Sequence, residues 1–402
     1  MSMRYKGGVI SATAPTITPP VDGEGGTAVG VWTLQTQLQN SASWPKPNLT
    51  RELYSWGENA DGQLGLGDVI FRSSPVQVGA LTTWLNLAAG SYHSIATKTD
   101  GTLWTWGRNT NGQLGLGDTV KRSSPVQVGA LTTWSKVSGG AKFSAAIKTD
   151  GTLWTWGNND SGQLGLGDKV YRSSPVQVGV LTTWTVVACG QAQVLAVKSD
   201  GTLWAWGTAP YLPLNSGTYV SSPVQVGALT SWSSVSAGTF TAGAVRTNGT
   251  LWLWGQNAYG QVGINSTAIG VYSSPVQVGA LTTWSNKLGF GTYHTAAIKT
   301  DGTLWTWGYN RRGQLGLNDS VYQTSSPIQV GALTTWSQVK GGFESTIATK
   351  TDKTLWAWGY NNRGQLGQND TNNRSSPVQV GALSTWLNCA QGYLHTIANT
   401  VS

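Results

Sequence analysis

The sequence has few of the residues that build disulfide scaffolds, cysteine-rich metal sites or membrane spans. Its 402 residues include only two cysteines, Cys189 and Cys389, which lie 200 residues apart. Two buried thiols are therefore the simplest interpretation, because a disulfide framework needs more cysteines at closer spacing. No apolar run approaches the roughly 18 residues that a membrane span needs. The N-terminus also lacks the long apolar stretch of a secretory signal.

Charged residues are scarce as well, at 10% of the chain, and the balance is basic. Lysine and arginine total 25 against 17 aspartates and glutamates, which gives a net charge of +8. A positive surface favours acidic partners such as nucleic acid or an anionic polysaccharide. Few charges combined with 22 tryptophans indicate a chain that buries enough apolar surface to fold.

What the sequence has in abundance is an internal repeat. The segment SSPVQVGALTTW occurs seven times with at most two changes, and Trp-Gly pairs recur in steps of 50, 50, 50, 48, 53 and 51 residues. The tryptophans of these pairs are Trp56, Trp106, Trp156, Trp206, Trp254, Trp307 and Trp358. A fixed period near 50 residues indicates a repeat architecture in which each unit packs on its neighbours.

Each unit contains four short runs that are typical of strands, bounded by Gly, Pro or Asp-Gly. The Asp-Gly junctions, such as Asp150-Gly151, predict two-residue hairpins with type I′ turns. Four strands in each of seven units predict an all-β, seven-bladed propeller. The strand at Leu53–Trp56 has no preceding partner, and the end of the chain at 395–402 has no following one. We therefore expect these two strands to pair and close the ring, which removes two exposed edges.

Several motifs resemble the RCC1 repeat family, whose members fold as seven-bladed propellers. The resemblance rests on GQLGLGD, on the Trp-Gly strand ends and on the Gly-x-x-His elements at His93, His294 and His395. It covers about residues 52–402. The fourth unit departs from the pattern, since it reads TAPYLPLNSGTY at 208–219.

Most repeated residues have a structural interpretation. Twenty of the tryptophans are repeat-equivalent, so we expect them to pack between blades. Gly62 and Gly65 are expected to allow positive φ or close backbone approach. The loop NxxGQLGLGD lacks the lysine of a phosphate loop and the carboxylates of a calcium loop. No catalytic constellation can be assembled from these spacings, so the sequence predicts a protein that is not an enzyme and holds no metal or cofactor.

The basic residues are also periodic. One set lies two residues before each Asp-Gly-type turn: Lys98, Lys148, Lys198, Arg246, Lys299 and Lys350. A second set precedes Ser-Ser-Pro: Arg72, Arg122, Arg172 and Arg374. We interpret both as solvated strand edges that resist association between sheets. Nucleic-acid binding is the less favoured interpretation, because rings of charge do not make one patch.

The units differ mainly in the four residues after each Trp-Gly and in a short segment before the strand that enters the Asp-Gly hairpin. Antiparallel geometry places both segments on one rim, opposite the Asp-Gly turns. Residues of this kind form a recognition surface when a rigid scaffold holds their loops. The predicted partner-binding residues are Tyr92, His93, Arg108, Tyr211, Tyr259, Tyr293, His294, Tyr309, Arg311, Arg312, Tyr360 and Arg363. For this surface the alternative is neutral drift in exposed loops. For the histidines the alternative is a packed structural role.

Residues 1–50 do not repeat and are interpreted as an extended Pro/Gly/Thr-rich arm, with the propeller at 51–402. The arm resembles N-terminal segments of structural proteins from marine tailed bacteriophages. That resemblance implies a virion component of the tail, fibre or capsid surface, assembled in the host cytoplasm and present in several copies on a symmetric particle. The arm would dock on other virion proteins through Tyr5, Trp32, Leu34 and Leu38.

On this hypothesis the propeller contacts another virion subunit or a host-surface glycan or protein. Two alternatives stay open. One is a cellular RCC1-like regulator of a small GTPase or of chromatin, and the other is a free lectin-like binder. The near-uniform length of the units and the few basic residues in the arm argue against the regulator.

Overall fold

The structure is a computed structural model, and it describes residues 49–402 except 209, 210, 216, 267–269 and 320. The predicted arm lies outside these residues, together with Tyr5, Trp32, Leu34 and Leu38. A compact unit spans Thr50–Ser402. The described residues contain strands and turns and no helix.

Twenty-eight strands make up the described part of the chain. The first fourteen are β1 (Leu53–Gly57), β2 (Arg72–Gln77), β3 (Trp84–Ala89), β4 (His93–Lys98), β5 (Leu103–Gly107), β6 (Arg122–Gln127), β7 (Trp134–Gly139), β8 (Phe143–Lys148), β9 (Leu153–Gly157), β10 (Arg172–Gln177), β11 (Trp184–Cys189), β12 (Gln193–Lys198), β13 (Leu203–Gly207) and β14 (Val220–Gln225). The rest are β15 (Trp232–Ala237), β16 (Thr241–Arg246), β17 (Leu251–Gln256), β18 (Val271–Gln277), β19 (Trp284–Phe290), β20 (His294–Lys299), β21 (Leu304–Tyr309), β22 (Gln323–Gln329), β23 (Trp336–Gly341), β24 (Ser345–Lys350), β25 (Leu355–Gly359), β26 (Arg374–Gln379), β27 (Trp386–Gln391) and β28 (His395–Thr400).

The strands form seven four-stranded sheets, which we number as blades 1 to 7. Blade 1 is β3–β6, and blades 2 to 6 follow in chain order as β7–β10, β11–β14, β15–β18, β19–β22 and β23–β26. Blade 7 is β27, β28, β1 and β2. The first strand of each blade contacts the first strands of both neighbours, and β27 contacts β3. This confirms the predicted seven-bladed propeller, and the first strands surround a central channel.

Blade 7 also confirms the predicted closure of the ring. Strand β1 pairs antiparallel with β28 from Leu53↔Asn399 to Gly57↔His395. Beside this pair, the amides of Thr50 and Ser402 each donate to the carbonyl oxygen of the other residue, at 3.0 and 3.1 Å. The two chain ends of the propeller are therefore held together by hydrogen bonds within one sheet.

Among the described residues, the apolar core consists of seven clusters, one at each interface between neighbouring blades. Trp106 shows the role of the Trp-Gly tryptophans, since its side chain is fully buried. Its indole Nε1 donates to the carbonyl oxygen of Gln63 in blade 7 at 2.9 Å. A Cβ added to Gly65 would lie 2.8 Å from that Nε1, and the φ of Gly65 is +73°. The expectations of interblade tryptophans and of glycines that need close approach are both confirmed.

The prediction of type I′ turns at the Asp-Gly junctions was wrong. In blade 1, Gly101 has φ of +77°, but Asp100 is not among the residues with positive φ. The amide of Gly101 donates to the carbonyl of Lys98, and the amide of Lys98 donates to the carbonyl of Thr102. This is a three-residue loop whose glycine adopts the left-handed conformation. The Asp100 carboxylate accepts from the Thr102 amide and hydroxyl at 2.9 and 2.7 Å, which holds the turn.

Candidate functional site

The two variable segments of each unit meet on one rim of the propeller, as the sequence predicted. In blade 1, His93 pairs with Gly107 at the end of the β4–β5 ladder. Beyond that pair, the amide of Arg108 donates to the carbonyl of Tyr92 at 2.9 Å. We call this rim the loop face, and the opposite rim with the Asp-Gly turns the turn face.

Aromatic side chains gather on the loop face in two groups. In the first, Phe240 lies between Tyr211 and Tyr293, with ring centroids 5.3 and 5.6 Å apart. Tyr293 also meets Tyr259 at 5.1 Å. In this way the group spans blades 3, 4 and 5.

The second group spans blades 6, 7 and 1. Tyr393 lies between Phe343 at 4.2 Å and Tyr92 at 5.7 Å, and Phe343 meets Tyr360 at 6.5 Å. We define the aromatic surface as these two groups: Tyr92, Tyr211, Phe240, Tyr259, Tyr293, Phe343, Tyr360 and Tyr393. All eight side chains are half-buried, so their ring edges and hydroxyl ends remain available to a partner.

Phe240, Phe343 and Tyr393 were missed by the sequence reasoning. A signal was present, because they occupy the same short segment before the second strand of their blades as Tyr92 does in blade 1. Backbone hydrogen bonds join three of these segments to the next, from Thr292 to Phe343, from Phe343 to Tyr393 and from Tyr393 to Ser91. These bonds link the segments of blades 5, 6, 7 and 1 along the channel mouth.

The channel opens on the loop face through a cavity of about 270 Å³. Glycines such as Gly90 and Gly140 line it, together with Tyr92, Phe343 and Tyr393. Blade 2 interrupts the aromatic surface, because its corresponding positions hold the exposed Lys142 and the polar loop of Asn158 and Asp160. The loop face is therefore asymmetric although the scaffold repeats seven times.

The predicted arginines are partly engaged in contacts between blades. Arg108 pairs with Asp61 at 2.7 Å, and its guanidinium lies 4.0 Å from the centre of the Tyr92 ring. Arg363 pairs with Glu58 at 2.8 Å.

A third pair joins blades 5 and 6, where Arg312 lies 3.6 Å from Glu344. Burial raises the pKa of Glu344, although Arg312 and Arg311 counteract that rise. Arg311 itself is exposed. These contacts give part of the sequence variation on the loop face an intramolecular cause.

Three predicted partner-binding residues are corrected by their burial. His93 and His294 are 0% and 1% exposed, and Tyr309 is 8% exposed. The imidazole Nε2 of His93 lies 2.9 Å from Ser144 Oγ in blade 2, and that hydroxyl donates its proton to the carbonyl of Gln113. His93 must therefore be the donor, and its role is to join two blades. Tyr309 is enclosed by the rings of Tyr259, Tyr293 and Tyr322.

The histidines bridge blades in the same manner at two further interfaces. His294 contacts Thr346 at 2.8 Å, and His395 contacts Ser94 at 3.1 Å. Each of these hydroxyls donates to a backbone carbonyl. Burial lowers the pKa of His93 to about 3 and that of His294 and His395 to about 4.

The interpretation of the turn-face lysines as solvated edge charges was wrong. Lys98 is 7% exposed, and its ammonium lies 3.6 Å from the ring centre of Trp104 and 5.1 Å from that of Trp84. Burial lowers the pKa of Lys98. The same sandwich between two tryptophans recurs at Lys148, Lys198, Lys299 and Lys350. These lysines lie on inner strands, so their aliphatic stems are packed and their ammonium groups lie over the faces of tryptophan rings.

The arginines before Ser-Ser-Pro do lie on the outermost strands. Each pairs with an aspartate four residues earlier, as Arg122 does with Asp118 at 2.6 Å. The outer strands also carry a proline, such as Pro125 in β6, which cannot donate to another sheet.

The sequence reasoning also missed an asparagine that organises six of the seven long loops. Asn109 is fully buried. Its Oδ1 accepts from the amide of Leu114, and its Nδ2 donates to the Asp118 carboxylate and to the carbonyls of Asp118 and Val120. The signal was an asparagine at this position in six of the seven units. The fourth unit, whose loop departs most from the repeat, has Ala209 there.

Within the described ranges, no group of three or more His, Cys, Asp or Glu side chains is placed to hold a metal ion. In the same part of the chain, no helix is long and apolar enough to cross a membrane. Cys189 and Cys389 are free and buried, and burial raises the pKa of each thiol to about 12.

Comparison with known families finds a match to the regulator of chromosome condensation (RCC1) repeat. The family's sequence pattern matches residues 52–97, 100–147, 150–197, 248–298, 301–349 and 352–398. The stretch left out, 198–247, contains the divergent fourth-unit loop.

Similar curated proteins include the human probable E3 ubiquitin-protein ligase HERC3, which is 36% identical over 90 residues. The ultraviolet-B receptor UVR8 of Arabidopsis thaliana is 36% identical over 84 residues. These matches cover 22% and 20% of the chain but only 9% and 19% of the two relatives.

Among solved structures, human WBSCR16 superposes with a TM-score of 0.77 at 20% identity, covering 87% of this chain and 98% of that one. Prp20p of Saccharomyces cerevisiae superposes with a TM-score of 0.76 at 17% identity, covering 87% and 91%. At these identities the likeness establishes the fold alone.

Proposed function

The chain belongs to the RCC1-repeat family, and from that premise we propose that it is a non-enzymatic interaction protein that contacts its partner through the loop face. The observation that carries the proposal is the asymmetry between the two faces. The turn face repeats one packing arrangement, whereas the loop face gathers eight half-buried aromatic residues on six of the seven blades. Aromatic and arginine side chains are the residues that contribute most to binding at protein interfaces.

We further propose that the protein is a virion component, in which residues 1–50 dock on the particle and the propeller is displayed. The resemblance of the arm to phage structural proteins supports this placement. The aromatic surface suits a partner subunit or a host-surface glycan, because flat rings pack against both.

Deletion of residues 1–45 tests the docking role of the arm. We expect the truncated protein to fold, because the compact unit begins at Thr50, and to be lost from purified particles. The full-length protein in the same preparation is the control. Incorporation of the truncated protein at the normal level would refute the anchoring role.

Binding of the isolated propeller, residues 50–402, to a glycan array tests the display role. The matched variant is Tyr293→Ala, because the corresponding residue of blade 3 is Ala192. We expect the variant to lose at least tenfold in affinity for any glycan that the parent binds. Equal binding by both would place the contact elsewhere.

A cellular regulator is the alternative. The structure of Prp20p was described with its binding to Gsp1p and histones, and that comparison motivates a nucleotide-exchange assay. Acceleration of exchange on a small GTPase would favour the regulator over the virion component.

A further inference from the structure

The first strand of each blade carries one position that lines the central channel and is small in six blades. The positions are equivalent because each pairs with the same position of the second strand in its own blade. Examples are Ala88↔Ile95, Lys340↔Ile347 and Ala390↔Ile397. The small residues are Ala88, Ser138, Ala188, Ser236, Gly289 and Ala390. Blade 6 has Lys340 instead, so a single long cationic side chain occupies the channel at this level.

Lys340 and the six small residues line one cavity of about 190 Å³ inside the channel. That cavity shares Ala89, Gly139, Gly341 and Gln391 with the larger cavity at the mouth. The side chain of Lys340 is exposed to this space. On the neighbouring strand, Gly289 allows the two strands to approach closely, because a Cβ added there would lie only 3.0 Å from Lys340 Cα. A small solute can therefore reach Lys340 from the loop face.

The charge of Lys340 has no acidic counterpart in the channel wall. The seven first strands, which are described in full, contain no aspartate or glutamate. They contain two other lysines, Lys136 and Lys287. The ammonium of Lys136 donates to the carbonyl of Thr185 on the next strand. At the mouth, Glu344 is paired with Arg312.

This arrangement has an electrostatic cost for the ammonium of Lys340. Desolvation by the surrounding strands lowers its pKa, Lys287 lowers it further, and the Cys389 thiol counteracts the change. A bound anion would offset both unfavourable effects, because an opposite charge nearby favours the protonated amine.

We propose that the central channel binds a small oxyanion, such as phosphate or sulfate, at Lys340. The ammonium offers three donors. Ser138 accepts from the amide of Cys189 at 2.9 Å and keeps its own proton to donate, while the Ser236 hydroxyl lines the same cavity. The cavity has room for a tetrahedral oxyanion. This proposal does not rest on the function proposed for the loop face.

Isothermal titration calorimetry of the full-length chain with sodium sulfate, at ionic strength held constant with sodium chloride, tests the site. We expect saturable binding of one sulfate per chain. Lys340→Ala should weaken that binding at least tenfold, and it should fold because Ala88, Ala188 and Ala390 occupy the same position in other blades. Lys340→Arg retains the charge and should retain binding.

The matched control is Lys353→Gly, which removes one positive charge from a turn in the same blade. It should bind sulfate like the parent. Equal weakening by Lys340→Ala and Lys353→Gly would mean that only net charge matters and would overturn the proposal. So would a titration of the parent that shows no saturable heat, or one that Lys340→Ala leaves unchanged.

Discussion

The two faces of the propeller use the same scaffold in opposite ways. On the turn face, six of the seven blades place a basic residue and an Asp-Gly-type turn at the same point, and in five blades a lysine lies between two tryptophans. On the loop face, equivalent positions hold Tyr92, Lys142, Ala192 and Phe240. The comparison teaches that repetition marks the residues that build the ring, whereas variation marks residues free to serve one interface or one partner.

The largest expected effect belongs to the repeated scaffold. Trp106→Ala should lower the free energy of unfolding by about 3–5 kcal/mol, because it empties a fully buried interblade site. Urea denaturation of the variant and the parent measures this. The loop-face control, Tyr293→Ala, should cost less, about 1.5 kcal/mol, because its three aromatic pairs lie at a half-buried site and are each worth about 0.5 kcal/mol or more. Comparable losses in the two variants would erase the distinction between the faces.

Acid should destabilise the protein through the three interblade histidines. Their folded-state pKa values, about 3 for His93 and about 4 for His294 and His395, lie below 6.5. As the pH falls through 6.5, the unfolded chain takes up protons that the folded chain does not, so stability is full above that pH and declines below it. As the pH falls within this window, each histidine lowers the free energy of unfolding by up to about 1.4 kcal/mol per pH unit.

His93→Phe tests that assignment with a residue that the repeat already uses, since Phe143 holds the same position in blade 2. Between pH 6.5 and pH 5, the free energy of unfolding should fall by about one third less in the variant than in the parent. Denaturation curves at both values measure it. An unchanged slope would show that His93 is not the buried neutral donor inferred from its contact with Ser144.

On the turn face, Lys353 stands where other blades have glycine, and its φ is +61°. Lys353→Gly should raise the free energy of unfolding by about 0.5–1 kcal/mol, because the left-handed conformation costs a side chain more than glycine. Thermal unfolding detects the change. The reverse substitution, Gly101→Lys, should destabilise, since its Cβ would lie 2.0 Å from the Thr132 carbonyl oxygen.

The smallest effect is expected for the loop-face ion pair of Arg108 and Asp61. A double-mutant cycle with Arg108→Ala and Asp61→Ala should give a coupling of about 0.2–1 kcal/mol, as is usual for partly exposed pairs. The coupling should shrink in high salt. A coupling above 3 kcal/mol would assign the loop-face charges to the scaffold.

The sequence predicted the ring, its closure and the meeting of the variable segments, because these follow from a repeated local pattern and from antiparallel geometry. It did not predict which side chains meet across blades. Glu58 and Arg363 pair although they are 305 residues apart in the sequence. The local repeat pattern gives no information about such a contact. The turn type was wrong because Asp-Gly is compatible with both a two-residue and a three-residue loop, and the pairing of Lys98 with Thr102 decides between them.

Burial explains the other differences. A basic residue before a turn was taken for an exposed edge charge, yet β4 and its equivalents are second strands, covered on both sides. The asparagine of six long loops was grouped with variable residues although only the fourth unit lacks it. The virion role and the partner-binding role of the exposed loop residues stay predictions.

The most direct test replaces three aromatic loop-face residues by those that other blades carry: Tyr293→Ala, Phe343→Ser and Tyr393→Ala. Binding of labelled propeller to host cells, measured beside its urea denaturation, separates recognition from folding. We predict a folded variant that has lost cell binding. A variant that binds like the parent, or one that is destabilised as much as Trp106→Ala, would contradict the assignment of the loop face to recognition.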